Sequence, residues 1–247
     1  MTDSLADMIR RVIRTAETGA ARSLQREIGL SEIGIDCDRA VAYRLFETEP
    51  VNTSRDSWLA TVGTAVHVWL ADAFEAENQR LGRTRFVVEE RVFLTDGYNG
   101  TCDLYDTDTS TVVDHKVLGV TSLRKIRDGA IPAHYRTQLH AYGYGHARAG
   151  RNVRQVVLAC YPRSDNLGGD FGGGGLYLHA EPYDQQVALQ GLDRLSRLTT
   201  LLAQLNPEAE PSRWALIAAK PGDDCKYCPY RRPGPPDETG CPGDPWA

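Results

Sequence analysis

Residues 100–119, GTCDLYDTDTSTVVDHKVLG, constrain the fold more than any other stretch, because they read as two strands around a polar turn. Both strands carry ionisable groups in their interiors: Asp103 in the first, and Asp114, His115 and Lys116 in the second. Burying such a group unpaired costs several kcal/mol or more, so these strands must set their charges against one another or hold something between them. With Thr107–Ser110 as the turn, Asp106 faces Thr111 and, counting back, Asp103 faces Asp114. Directly opposed residues have Cβ atoms about 4.5–5.5 Å apart, where like charges repel. Lys116 shares the face of Asp114 because side chains alternate along a strand.

Two carboxylates and an amine in this arrangement suit a divalent cation and a water nucleophile. The simpler alternative is an ion pair of Lys116 with one of the acids. Oxygen ligands favour Mg²⁺ or Mn²⁺ over zinc. Such a cation would neutralise the opposed acids, polarise a phosphoryl oxygen and lower the pKa of a bound water. Lys116 would orient that water or stabilise developing charge.

The hairpin sits within alternating helical and extended patterns. Residues 3–16 place Leu5, Met8, Ile9, Val12 and Ile13 on one helical face, and 29–46 read as a loop and a helix with Asp36 or Asp38 near its N-cap. A long helix over 59–82 ends at Gly82, and 85–94 form a strand whose Glu89 and Glu90 read as an exposed acidic pair, with contact of one of them to the Asp103 site as the alternative. A helix over 134–150, a strand over 153–162 and a second over 176–182 follow, with a glycine-rich loop at 165–175. Asp184 opens a leucine-rich helix that ends near Asn206–Pro207. The tail from Pro221 is rich in Pro, Gly and Cys without periodicity, so something other than a core must fix it.

This order describes one mixed α/β domain over 1–247: an N-terminal helical part (1–58), a core (59–206) and a C-terminal tail (207–247). No run is long enough to cross a membrane, and the N-terminus lacks a signal-peptide pattern, so a cytoplasmic location is expected. In that compartment the six cysteines are metal ligands or core packing rather than disulfides. The net charge of −5 argues weakly against a nucleic-acid partner, because binding follows local charge. The arginine runs at 9–14, 124–129 and 230–233 read as solvated faces.

Four motifs occur in a fixed order: Gly63-Thr-Ala-Val-His67 on a helix, Gly100-Thr-Cys-Asp103 and Asp114-His-Lys116 on strands, and Gln138-Leu-His-Ala-Tyr142 on the next helix. The set resembles the PD-(D/E)XK nuclease superfamily, in particular its RecB-like exonucleases. The resemblance implies a restriction-endonuclease-like core of mixed sheet flanked by helices. It implies that His67, Asp103 and Asp114 ligate Mg²⁺ or Mn²⁺, with the His115 backbone carbonyl a further ligand. Lys116 would serve the attacking water, and Gln138 and Tyr142 would organise the site or the nucleic acid. Two departures stand out: Cys102, not proline, precedes the first acid, and Asp114 replaces the commoner glutamate.

The tail supplies Cys225, Cys228 and Cys241, and a fourth ligand is needed for a metal-bound knot. Cys102 and Cys160 lie in strand patterns and read as core residues, whereas Cys37 stands in a polar loop at a helix start. On spacing alone, structural zinc and an iron–sulfur cluster fit equally well. The layout resembles the iron–sulfur branch of the RecB-like exonucleases, which includes the CRISPR-associated adaptation nucleases, and that resemblance implies a [4Fe–4S] cluster on Cys37, Cys225, Cys228 and Cys241. The implied function is a metal-dependent DNA exonuclease preferring single-stranded ends, in repair, recombination, CRISPR adaptation or viral DNA metabolism, with a helicase or CRISPR adaptation protein as partner. Competing readings are a non-catalytic nucleic-acid-binding adaptor on the same fold and a redox sensor built around the cysteines.

Overall fold

The computed structural model describes residues 4–18, 28–52, 57–164 and 175–243. Residues 165–174 of the glycine-rich stretch lie outside them. The β-branched segments assemble into one five-stranded mixed sheet in sequential order: β1 (Phe86–Phe93), β2 (Asn99–Asp106), β3 (Thr111–Leu118), β4 (Gln155–Pro162) and β5 (Tyr177–Pro182). All neighbours are antiparallel except β3 and β4. A parallel pair needs a crossover, supplied by α4 (Val120–Arg127) and α5 (Ala133–Arg148).

Helix α5 runs close to the sheet because it carries glycine where a side chain would collide. A Cβ at Gly145 would lie 2.7 Å from Val92 of β1, and one at Gly143 2.7 Å from Tyr183. Helix α3 (Ser57–Leu81) is registered against β1 by the buried Asn78, whose Oδ1 accepts from the Arg85 and Phe86 N–H groups and whose Nδ2 donates to the Phe86 carbonyl. That bond set fixes where the earlier turns of α3, with His67, meet the sheet. Asp184 caps α6 (Gln185–Leu205), accepting from the Gln186 N–H at 2.8 Å.

The chain ends pack together. Tyr43 of α2 (Asp38–Leu45) stacks on Trp214 with centroids 4.4 Å apart and meets Tyr230 at 5.1 Å. One hydrophobic cluster runs from Ile28 to Cys241. The tail therefore does contribute to the core: Tyr230 and Cys241 are buried, contrary to the expectation that nothing apolar anchors it.

Three further features differ from the sequence reading. Asp36 and Asp38 flank the N-cap of α2, as read, but the cap residue itself is Cys37 and no side chain bonds there. The charged run at 124–129 hides α4, whose Leu123 and Ile126 are buried; eight residues are too few for a visible period. The apolar face of α1 (Leu5–Thr18) is exposed at Leu5, Met8, Ile9 and Val12. No helix among the described residues is long and apolar enough to cross a membrane.

Candidate active site

The β2–β3 ladder pairs Leu104 with Val113, Tyr105 with Val112 and Asp106 with Thr111, the register expected from the turn. It stops where Asp103 and Asp114 would be the next rung. There the Asp103 carboxylate takes the place of a backbone acceptor, receiving the His115 N–H at Oδ2 over 2.6 Å. From α3, His67 Nδ1 approaches Asp103 Oδ1 at 3.4 Å. Burial raises the Asp103 pKa, but His67 and Lys116 outweigh it and hold the carboxyl below its usual range. His67 is raised in return, chiefly by its bond to Asp103.

Asp114 is 1 % exposed and ion-paired with Lys116. Burial pushes its pKa up to about 6 against the pull of Lys116. Burial works against the charge on Lys116 too, yet Asp114 keeps the pKa of the amine raised. The Lys116 ammonium also lies 5.1 Å from the Tyr135 ring. The expected ion pair and the expected strand-face geometry thus coexist.

Gln138 donates from Nε2 to the Tyr142 hydroxyl at 2.9 Å, and both side chains are buried. Burial, with Asp114 and Asp103 nearby, raises the Tyr142 pKa well above the usual phenol value. This pair stands behind the carboxylates, within the core, and not at a surface open to a polymer. The His115 ring is packed as well: it stacks on Phe74 at 5.8 Å, meets Tyr161 Oη at 3.2 Å, and burial drives its pKa down to about 4. It is neutral at pH 7.

The ligand atoms brought together are those of His67, Glu89 and Asp103, all within 4.8 Å of one another. Asp114 lies outside that group. The reading of Glu89 and Glu90 as an exposed pair holds for Glu89 and is corrected for Glu90, which is half-buried. Glu89 joins the site, and Glu90 bonds Arg151 Nη2 at 2.9 Å and lies 3.3 Å from the buried His146 Nδ1. Alternation along β1 requires one of two adjacent acids to share the face of Asp103, but it does not say which. Two carboxylates and an imidazole nitrogen in so small a radius fit a divalent cation, and their mutual repulsion calls for one.

A second convergence lies between the chain ends. Cys37, Cys225, Cys228 and Cys241 line one recess, together with Arg39 and Lys220. Arg39 Nη1 donates to Cys241 Sγ at 3.3 Å, the Gly243 N–H to the same sulfur at 3.4 Å, and the Lys220 N–H to Cys37 Sγ at 3.5 Å. No three of these sulfurs lie within 4.8 Å of one another. Cys102 and Cys160 are buried in the core, as read from the sequence.

A family model for the PD-(D/E)XK nuclease superfamily matches residues 37–232, which include His67, Glu89 and Asp103 and, of the four cysteines, Cys37, Cys225 and Cys228. The chain belongs to that superfamily. Members of the PD-(D/E)XK superfamily generally use divalent metals such as Mg²⁺, and His67, Glu89 and Asp103 are a fitting place for one. Among solved structures the chain is similar to an alkaline exonuclease from Laribacter hongkongensis (15% identity, 74% of this chain and 93% of that one, TM-score 0.45). It is also similar to a phage-related exonuclease from Haemophilus somnus 129PT (16%, 56% and 69%, TM-score 0.38) and to a protein named SSO0001 (15%, 96% and 99%, TM-score 0.46). No curated protein matches it.

Proposed function

We propose that this PD-(D/E)XK nuclease is a divalent-cation-dependent DNA exonuclease of the RecB-like kind, preferring single-stranded ends. The observation that carries the reading is the meeting of the buried Asp114–Lys116 pair with the acidic group around Asp103, at the interrupted rung of β2 and β3. A bound cation would supply Lewis-acid charge to a phosphodiester oxygen. The chain does the rest. Asp103 Oδ2 is held by the His115 N–H, so Oδ1, beside His67, is aimed before substrate arrives. Lys116, kept charged by Asp114, positions the attacking water and offsets the charge developing on phosphorus-bound oxygen. Gln138 and Tyr142 keep this arrangement dry from behind.

The four converging cysteines would hold a [4Fe–4S] cluster that clamps residues 1–58 and the tail 207–247 onto the catalytic core 59–206. Their convergence in one recess suits a cluster or a tetrahedral zinc site alike, and the resemblance to the iron–sulfur branch favours the cluster. The three N–H donors on Cys37 and Cys241 also suit thiolates that carry negative charge. A clamped nuclease core fits work beside a helicase or in CRISPR adaptation.

The test is digestion of end-labelled single- and double-stranded DNA with Mg²⁺, Mn²⁺ or EDTA, by wild type and Lys116→Ala. The expected result is metal-dependent release from single-stranded ends, with Lys116→Ala losing turnover while retaining DNA affinity. Cleavage that survives EDTA, or no cleavage with any cation, overturns the reading.

A further inference from the structure

More than half of the large apolar side chains exposed among the described residues belong to two helices. Helix α1 presents its open apolar face, and α3 adds Trp58, Leu59, Val68 and Trp69. α3 is the element on which α1 packs most closely, so the two sets share one side of the fold. Trp58 is 54 % exposed and Trp69 63 %. They stand about three helical turns apart and so lie on one face of α3. That face points away from the chemistry, because His67, two positions before Trp69, is rotated from it by about 200°.

Exposure on this scale needs a covering partner. A helix of 14 residues is marginal in water unless tertiary packing covers its apolar face, and α1 leaves that face open. Together the two sets expose on the order of 600 Å² of apolar surface. That is at the top of the range for the largest patch on a monomer, roughly 600 Å², and close to the roughly 800 Å² that each partner gives to a stable interface.

The chemistry of the face decides what covers it. Tryptophan alone stacks on bases, and its aliphatic neighbours offer them nothing. The rim is mixed in sign: Arg10 and Arg11 are exposed on α1, and Asp72 and Glu75 on α3. Those acids repel a phosphate chain or an anionic lipid surface. Against an identical face related by a twofold axis the rim is complementary, with α1 of one copy set on α3 of the other.

We propose that the outer face of α1 and α3 is a dimer interface, on which a second copy of this chain seats its own α1–α3 layer, with Trp58 and Trp69 buried at the centre. The inference goes beyond the nuclease reading and does not depend on it.

The test is sedimentation equilibrium of the full chain at micromolar concentration. Wild type should sediment at twice the mass of one chain. Trp69→Glu and Ile9→Glu, on different helices and both at exposed positions, should sediment as folded monomers by circular dichroism. Should either lose its fold, Trp69→Ala carries the same test and should weaken the dimer at least tenfold, as truncation of a central tryptophan does. A monomeric wild type overturns the inference, as does a dimer that persists in every folded variant. Tighter binding of a monomeric wild type than of Trp69→Ala to a single-stranded oligonucleotide, or to phosphatidylglycerol vesicles, overturns it in favour of nucleic acid or lipid.

Discussion

Replacing Lys116 with methionine should produce a stability loss that grows steeply with pH. In metal-free wild type the Asp114 pKa, raised by burial to about 6, exceeds the roughly 3.9 of an unfolded aspartate. A folded pKa raised above the unfolded one means the native state holds a proton that the unfolded state has lost. Stability is then highest below the unfolded value and falls as pH rises, levelling off above the folded value. Methionine removes the charge that restrains Asp114, so in the variant this fall continues beyond pH 6. Each further pH unit costs about 1.4 kcal/mol, or about 2.7 kcal/mol between pH 6 and pH 8. That approaches the roughly 3–5 kcal/mol known for breaking one side of a buried pair. For a chain of 247 residues it corresponds to a drop in Tm of roughly 5–11 °C at pH 8 beyond any deficit at pH 5. Thermal and urea unfolding in EDTA at both pH values, with wild type in parallel, measure it. An equal deficit at pH 5 and pH 8, or a larger one at pH 5, would refute the argument that Lys116 holds a buried charge.

Three other outcomes follow from the same geometry. Asp103→Ala and Asp114→Ala should each abolish cleavage at saturating Mn²⁺, both by losing a ligand and the second by also releasing Lys116; His67→Ala should be milder with Mg²⁺, which depends less on nitrogen, as rate measurements with each cation would show. Glu89 has left-handed backbone inside β1, with φ 48°, so Glu89→Gly should raise Tm in EDTA by the few degrees that about 1 kcal/mol of relieved backbone strain provides; saturating Mn²⁺ should then favour wild type, which gains the binding energy. Protein purified without oxygen should be brown with about four irons per chain. Substituting any of Cys37, Cys225, Cys228 or Cys241 should remove colour and solubility together, whereas Cys102→Ala and Cys160→Ala retain both; a colourless protein with one zinc would replace the cluster by zinc.

Local chemistry made much of this protein legible. The β2–β3 register follows from turn residues and the two-residue period of a strand, both local, so the pairing from Asp106–Thr111 to Leu104–Val113 needed no structure, whereas the end of the ladder before Asp103 and Asp114 did. The helix carrying His67 and the buried Gln138–Tyr142 step on α5 follow from helical spacing in the same way. That Cys37 lies beside the tail cysteines in one recess was legible by elimination, because Cys102 and Cys160 sit in apolar strands while Cys37 stands in a polar loop.

Tertiary structure decided the rest, wherever a residue's role depends on partners distant in sequence. Nothing in VVEER distinguishes Glu89 from Glu90. The choice is made by Arg151 and His146, which take Glu90 on one face, and by the missing rung between Glu89 and Asp103 in the β1–β2 ladder, which turns Glu89 toward His67. The tail is similar: no period marks Tyr230 as core, and only its packing on Tyr43, nearly two hundred positions earlier, buries it. Alternation and turn chemistry are properties of a few consecutive bonds, whereas which of two adjacent carboxylates meets a cation is set by charges that only the folded chain brings within reach.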